Sequence, residues 1–220
     1  MDAAGWVDAP DPLVIDTPPP GDRVQRVVLV RHGETAWSRT GRHTGRSDIP
    51  LDPQGAVQAE RLRGRLREWR FAEVLCSPLQ RARRTCEIAG CATSARLDPE
   101  IEEWDYGTYE GRTADQIRAD CPGWTIWKDG VLGGETAADV GRRADAVIER
   151  VRGVAGDVAL FSHGHFLRIL AARWCNLPVL VGERLALSPA ALSVLGYDRD
   201  DPVIWLWNDT CHLDEVSAAP

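Results

Sequence analysis

The chain has 220 residues, 44% of them hydrophobic, which suits one domain with a sizeable core. Its net charge of −7 sits at the ends: residues 1–22 hold five Asp and no base, and Asp214 and Glu215 follow near the C-terminus, which leaves 26 acids against 26 bases in residues 23–211. That balance offers no global basic field for nucleic acid, and no apolar run approaches the length that spans a bilayer.

Residues 1–22 contain Pro10, Pro12 and the run Pro18-Pro19-Pro20 among scattered Asp, which predicts a disordered arm. A similar tail is expected over 212–220, so a single domain is bounded at 23–211. The start of the chain has neither a basic n-region nor an apolar h-region, and the expected location is cytoplasmic. Six cysteines without CxxC pairing or metal-ligand spacing read as free thiols in a reducing compartment. Lys128 is the one lysine; arginine suits fixed, forked phosphate contacts better than lysine does.

VQRVVLVRH predicts a buried strand that delivers Arg31 and His32 straight into Gly33. Asp52-Pro53 then opens a helix, with an N-cap and a proline at the first helical position. Ala59, Leu62, Leu66 and Trp69 recur at helical spacing and form its core face. AEVLCS is a second strand. Ser77-Pro78 is expected to cap the next helix and Gly90 to end it. TSARL is a weaker strand. Val140, Ala144, Val147, Ile148 and Val151 mark a long helix over 135–155. DVALFSHG is a fourth strand, with a helix over His165 to Cys175 behind it. ALSVLGYD and PVIWLWND, split by Arg199-Asp200-Asp201, close the domain as a hairpin. The alternation predicts an α/β fold, a three-layer sandwich with a mostly parallel central sheet flanked by helices.

Ligands of such sheets bind beyond the carboxyl ends of the strands. Arg31-His32 lies at one such end, Ser162-His163-Gly164-His165 at another, and Ser77 to Arg81 follows a third. Taken singly, each histidine has a bland account as a solvated or structural residue. Together they supply what cleavage of a phosphate ester needs: donors for the oxygens, an in-line attacker and a proton for the leaving alkoxide. His32 can attack phosphorus, Arg31 and Arg81 can clamp its oxygens, and His163 can add a donor, helped by the amides of the following helix. Glu100, Glu102, Glu103, Asp105 and Glu110 are all candidates for the acid.

LVRHGETAW, GRHTGRSDIPLDPQG, SPLQRARRTCE, EEWDYGTYEG, GGET and FSHGHFLR, in this order, resemble the histidine phosphatase superfamily, whose fold is phosphoglycerate mutase-like. The resemblance runs from about Val27 to Trp174. It implies His32 as the phosphorylated nucleophile, Arg31, Arg81 and His163 as the phosphate pocket, and Glu103, four residues before Gly107, as the acid. Ser38 stands where many members have Asn. Mutases of the family carry a long insertion after the EG block. Here only Arg112 to Leu132 lies between Gly111 and Gly133, a span expected to form one wall of an open phosphatase site. EEWDYGTYEG, WTIWKDG and GHFLRILAARW resemble the acid-phosphatase and sugar-bisphosphatase branch, including the sedoheptulose-bisphosphatase type.

Thr44, Ser38, His165, Trp104, Tyr106 and Trp127 are candidates for substrate contact, each with a structural alternative: Trp104 and Trp127 as core, His165 as a helix cap. His43 reads as a loop residue, with substrate contact as the lesser alternative. Gly41 and Gly45 lack the strand-turn-helix setting of a dinucleotide site, so no cofactor and no metal are expected. The expected activity is hydrolysis of a small-molecule phosphate ester, a sugar phosphate or bisphosphate, through a phosphohistidine. The alternatives are mutase-type phosphoryl transfer and a non-catalytic phosphate-binding protein. No nucleic-acid or membrane partner is expected; a homodimer is allowed.

Overall fold

A computed structural model describes residues 25–214; the arm expected over 1–22, and the expected tail beyond Asp214, lie outside the described residues. In chain order the elements are β1 (Val27–Arg31), α1 (Ala36–Arg39), α2 (Pro53–Leu66), β2 (Phe71–Cys76), α3 (Gln80–Ile88), β3 (Ala95–Leu97), α4 (Ala114–Asp120), α5 (Ile126–Asp129), α6 (Ala137–Arg152), β4 (Asp157–Ser162), α7 (Gly164–Trp174), β5 (Leu192–Asp198) and β6 (Asp201–Asp209). The strands form one sheet in the order β3-β2-β4-β1-β5-β6. The first four run parallel, and β5 and β6 are antiparallel. This is the α/β sandwich expected.

Both faces of the sheet are covered, which is why its central strands are continuous apolar runs. Val27 and Leu29 of β1 pack with Val158 and Leu160 of β4 against the apolar faces of α6 and α7. Val28 and Val30, on the opposite face, pack with Ala159 and Phe161 against Leu62 and Leu66 of α2 and Ala82 and Cys86 of α3. The same two-residue alternation sets the position of the site. Arg31 pairs in register with Ser162, so His32 and His163 leave neighbouring strands side by side, and the end of β2 adjoins β4.

Local signals work as expected at α2, where the Asp52 side chain accepts the Gly55 N–H at 2.8 Å and Pro53 holds the first position. They do not at α3. That helix starts at Gln80, Leu79 is its N-cap, and no side chain caps it. The Ser77 hydroxyl, the expected cap, faces His163 instead. The short helices α1, α4 and α5 carry too few turns for a periodic signal; their mark in the sequence is the Thr that caps each, at Thr35, Thr113 and Thr125. A turn over Cys211–Leu213 follows β6 and Leu213 packs beside α2, so the packed chain continues past residue 211. Among the described residues no helix is long and apolar enough to cross a membrane.

Candidate active site

Beyond the end of β1, His32 is buried with its Nδ1 2.7 Å from the Gly33 carbonyl. A carbonyl only accepts, so Nδ1 carries the proton and Nε2 keeps its lone pair. Burial, with the charges of Arg81 and Arg31 alongside, holds the imidazole well below its ordinary pKa of 6.5 and therefore neutral. The glycine that follows is required by close approach. A Cβ on Gly33 would lie 2.4 Å from the Gly55 carbonyl oxygen, where the start of α2 presses on the loop.

Arg31 is half-buried beside it and makes no ion pair with a carboxylate among the described residues. One Nη donates to the Leu187 carbonyl, while its buried Nε has no hydrogen-bond partner. Burial lowers its pKa from the usual arginine value, opposed mainly by the charge of Glu103. A guanidinium with a buried, unpaired N–H, next to a neutral imidazole with a spare lone pair, has the chemistry to take an anion and attack it.

Arg81 and His163 stand one layer behind. Arg81 donates to the carbonyls of Ser47 (2.9 Å), Thr44 (3.0 Å) and Gly45 (2.9 Å) and, through Nε, to His163 Nδ1 at 3.1 Å. Because Arg81 can only donate, His163 Nδ1 accepts, and its Nε2–H goes to the Ser77 hydroxyl at 2.8 Å. His163 is fully buried and also held neutral, by burial first and then by the Arg81 charge. It offers no N–H to the pocket as it stands; it orients Arg81.

Glu103 occupies the start of α7. Its carboxylate accepts the N–H groups of His165 (3.0 Å), Phe166 (2.9 Å) and Trp104 (3.0 Å), and so caps a helix whose N-cap residue, His163, has no side-chain cap of its own. The amides expected to hold phosphate therefore hold Glu103. Gly164 lies between Arg31 and Glu103: a Cβ there would be 3.4 Å from the guanidinium carbon and 3.6 Å from Glu103 Oε2. The acid candidate Glu103 and Arg31 are thus neighbours. Glu100, Glu102, Asp105 and Glu110 do not line this pocket; Glu110 instead accepts the N–H groups of Gly45 and Ser47.

Residues 27–210 match the histidine phosphatase superfamily (branch 1). The chain belongs to this family. An acid phosphatase of Mycobacterium tuberculosis is 40% identical over 202 residues, spanning 90% of this chain and 99% of that protein. A sedoheptulose 1,7-bisphosphatase of Saccharomyces cerevisiae is 34% identical over 187 residues, spanning 70% of this chain and 69% of that protein. The solved structure of an open reading frame product of Mycobacterium tuberculosis, 37% identical, shares the fold with a TM-score of 0.81 over 84% of this chain and 98% of that one.

The pocket of this histidine phosphatase continues outward from Arg31 and His32 along Ser38, Gly41 to Thr44, Tyr106, His165, Arg168 and Leu187. Of the expected substrate-contact residues, Thr44, His165, Tyr106 and Ser38 line it. The Ser38 hydroxyl is already engaged, since it closes the capping box of α1 with Thr35. Trp104 and Trp127 do not line the pocket; they are buried behind His165, at ring distances of 5.9 Å and 5.4 Å. The span from Arg112 to Leu132, expected to be a wall, supplies no lining residue. It backs the wall: the Arg112 carbonyl accepts His43 Nδ1–H at 2.8 Å, and Trp127 stacks on Arg168. The lining residues Arg42, Arg168 and Leu187 escape the sequence reading. His43, a loop residue with substrate contact as its alternative, lines the pocket, and Arg168 lies three positions after His165, on the same helical face, a spacing that could have found it. Among the described residues no group of three or more His, Cys, Asp or Glu is arranged to hold a metal ion.

Proposed function

We propose that this protein is a phosphoric monoester hydrolase that cleaves a small phosphorylated metabolite, a sugar phosphate or bisphosphate, through a phosphohistidine. The observation that carries the reading is the buried, unpaired Nε of Arg31 beside the free Nε2 of a neutral His32. Arg31 holds the phosphate oxygens. His32 Nε2 attacks phosphorus, forming the N–P bond as the P–O bond to the leaving group breaks. Glu103 gives the departing oxygen its proton. Water then attacks the phosphohistidine, Glu103 takes the water's proton, and inorganic phosphate leaves with His32 restored. Arg81 acts from behind: its charge helps keep His32 neutral, and the three carbonyls it binds shape the loop that carries Thr44.

The imidazoles and hydroxyls of the outer pocket, and the likeness to a sugar bisphosphatase, support a hydroxyl-rich substrate. The test is trapping with labelled substrate. The wild type is expected to release phosphate in the presence of a chelator and to carry an acid-labile, base-stable phosphate on His32. Isomerisation of 3-phosphoglycerate that outpaces phosphate release would transfer the case to a mutase.

A further inference from the structure

We propose that Asn208, in a bulge of the edge strand β6, is a positioning residue for Arg31 and His32. With Trp207 and His212 it fixes residues 186–191, the backbone against which both of those side chains are set. This rests on the phosphatase reading above and extends its machinery to the edge of the sheet.

Residues 186–191 lead into β5, and their peptide groups are engaged on two sides. Toward the site, the Leu187 carbonyl accepts an Nη–H of Arg31 at 2.5 Å, the Ala190 N–H donates to the His32 carbonyl at 3.0 Å, and the Ala191 carbonyl accepts the Arg31 N–H at 3.2 Å. Away from the site, the Ala186 carbonyl accepts the Trp207 indole N–H at 2.6 Å, the Ser188 N–H donates to Asn208 Oδ1 at 2.6 Å, and the Ala190 carbonyl accepts His212 Nε2–H at 3.1 Å. The contact with Leu187 occupies one Nη of Arg31 and leaves its Nε unpaired. A guanidinium is a rigid planar fork, so the place of the Leu187 carbonyl sets the direction in which that Nε–H can meet an oxygen.

The backbone on both sides of this contact is irregular in a way that serves it. Ala190 is fully buried at φ 54°. An L-residue keeps that left-handed conformation only where its surroundings over-determine it, and here both of its peptide groups are held. On β6, Leu192 pairs with Asp209 but Val194 with Leu206, so Trp207 and Asn208 together oppose Ser193. Asn208 takes φ 56°, and its N–H goes to the Ser193 hydroxyl at 3.0 Å rather than to a ladder carbonyl. A bulge re-aims a side chain that a regular strand would point elsewhere; this one aims Asn208 at Ser188. The turn that carries His212 is in turn tied to α2, where Arg65 reaches Asp209 at 2.6 Å and Arg61 donates to the Leu213 carbonyl.

A purely structural Asn208 predicts something different: its loss would lower Tm and leave the folded molecules as active as before. Asn208→Gly removes the side chain and tolerates the positive φ; Asn208→Asp keeps an acceptor oxygen and a residue type that also visits that region. Both are assayed well below their Tm, with kcat and KM on p-nitrophenyl phosphate and with calorimetry of orthovanadate binding. Asn208→Gly is expected to lower kcat/KM by about 10–10²-fold, the size of a misplacement of up to about 1 Å, and to weaken vanadate binding with it. Asn208→Asp is expected to restore most of both. His212→Ala, which leaves β6 intact, is expected to lose less in the same direction, and His212→Gln, which can still donate, to recover. Wild-type kcat/KM and vanadate affinity in folded Asn208→Gly, whatever its Tm, would overturn the proposal. So would an Asn208→Asp enzyme as poor as Asn208→Gly. If Asn208→Gly does not fold, His212→Ala decides, and wild-type values there overturn it. A wild type that cleaves no ester would sink the phosphatase reading alone: weaker vanadate binding by Asn208→Gly would still support the positioning of Arg31, and unchanged binding would overturn it.

Discussion

The ends of β1 and β4 are neighbours in parallel register, and each releases a histidine into the same space, yet the two imidazoles are wired in opposite senses. His32 gives Nδ1–H to the carbonyl of the next residue and leaves Nε2 open. His163, 5.2 Å away between ring centroids, spends Nδ1 on Arg81 and Nε2–H on Ser77. Burial holds both neutral. In the proposed mechanism, the difference between the attacking group and the supporting one therefore lies in which nitrogen the surroundings leave free, not in residue type, burial or position on the sheet. Proton placement by a neighbouring acceptor is enough to divide the roles.

The strongest way to break this comparison is to remove each ring. His32→Ala is expected to reduce turnover to background, a loss of roughly 10⁴–10⁶-fold as for other missing nucleophiles, and to abolish the phosphoenzyme. Mass spectrometry that finds the phosphate on His163 instead would reverse the assignment.

Next in size is Glu103→Gln, which leaves both histidines in place. The rate on alkyl phosphates is expected to fall by about 10²–10⁴-fold, and much less on p-nitrophenyl phosphate, whose leaving group departs without a proton. Equal losses on both would mean that Glu103 only caps α7.

His163→Ala is expected to cost about 10²-fold, by analogy with the loss of one transition-state donor, because Arg81 loses its anchor while His32 keeps its lone pair. His163→Asn, whose carbonyl can accept from Arg81 as Nδ1 does, should recover part of the loss. Burst kinetics would show the phosphoenzyme still forming in both; its absence would place His163 in the chemical step.

Ser77→Ala removes the buried hydrogen bond from His163 and a longer one from the Leu79 N–H, each worth about 0.5–1.5 kcal/mol at most. A drop in kcat/KM of no more than about tenfold is expected, with a small fall in Tm. A loss as large as that of His163→Ala would show that Ser77 touches the reacting group.

The smallest effect is on pH. His32, His163 and His165 all have pKa values depressed chiefly by burial, whereas the unfolded imidazole titrates near 6.5. Below about pH 6.5 the unfolded chain binds more protons than the folded one, so stability rises with pH there and is lost as pH falls toward the folded-state values. Thermal unfolding from pH 7.5 down to 5.5 should show this decline. The acid limb of kcat/KM should also lie below 6.5, since His32 stays neutral; a limb above 6.5 would contradict the depressed value.

Much of this organisation is legible in the chain. The apolar runs of β1 and β4 need both faces buried, so they could only be inner strands, and a strand that ends in Arg-His or His-Gly-His marks the edge where a ligand sits. Asp52-Pro53 starts α2 through contacts within four residues. The ordered blocks from Arg31 to Arg168 are enough to suggest the family. What needs no distant partner can be read from order and spacing.

Tertiary structure decided the rest. That Ser77 serves His163 and not α3, that Glu103 caps α7 from 60 residues away in sequence, and that Trp127 lies beneath Arg168 rather than in the pocket are all consequences of long-range packing. The tautomers of His32 and His163 follow from acceptors and donors that only the assembled sheet brings near. A hydrogen-bonding side chain in the sequence states what it can offer; which partner takes it depends on which groups are left buried and unpaired when the layers close.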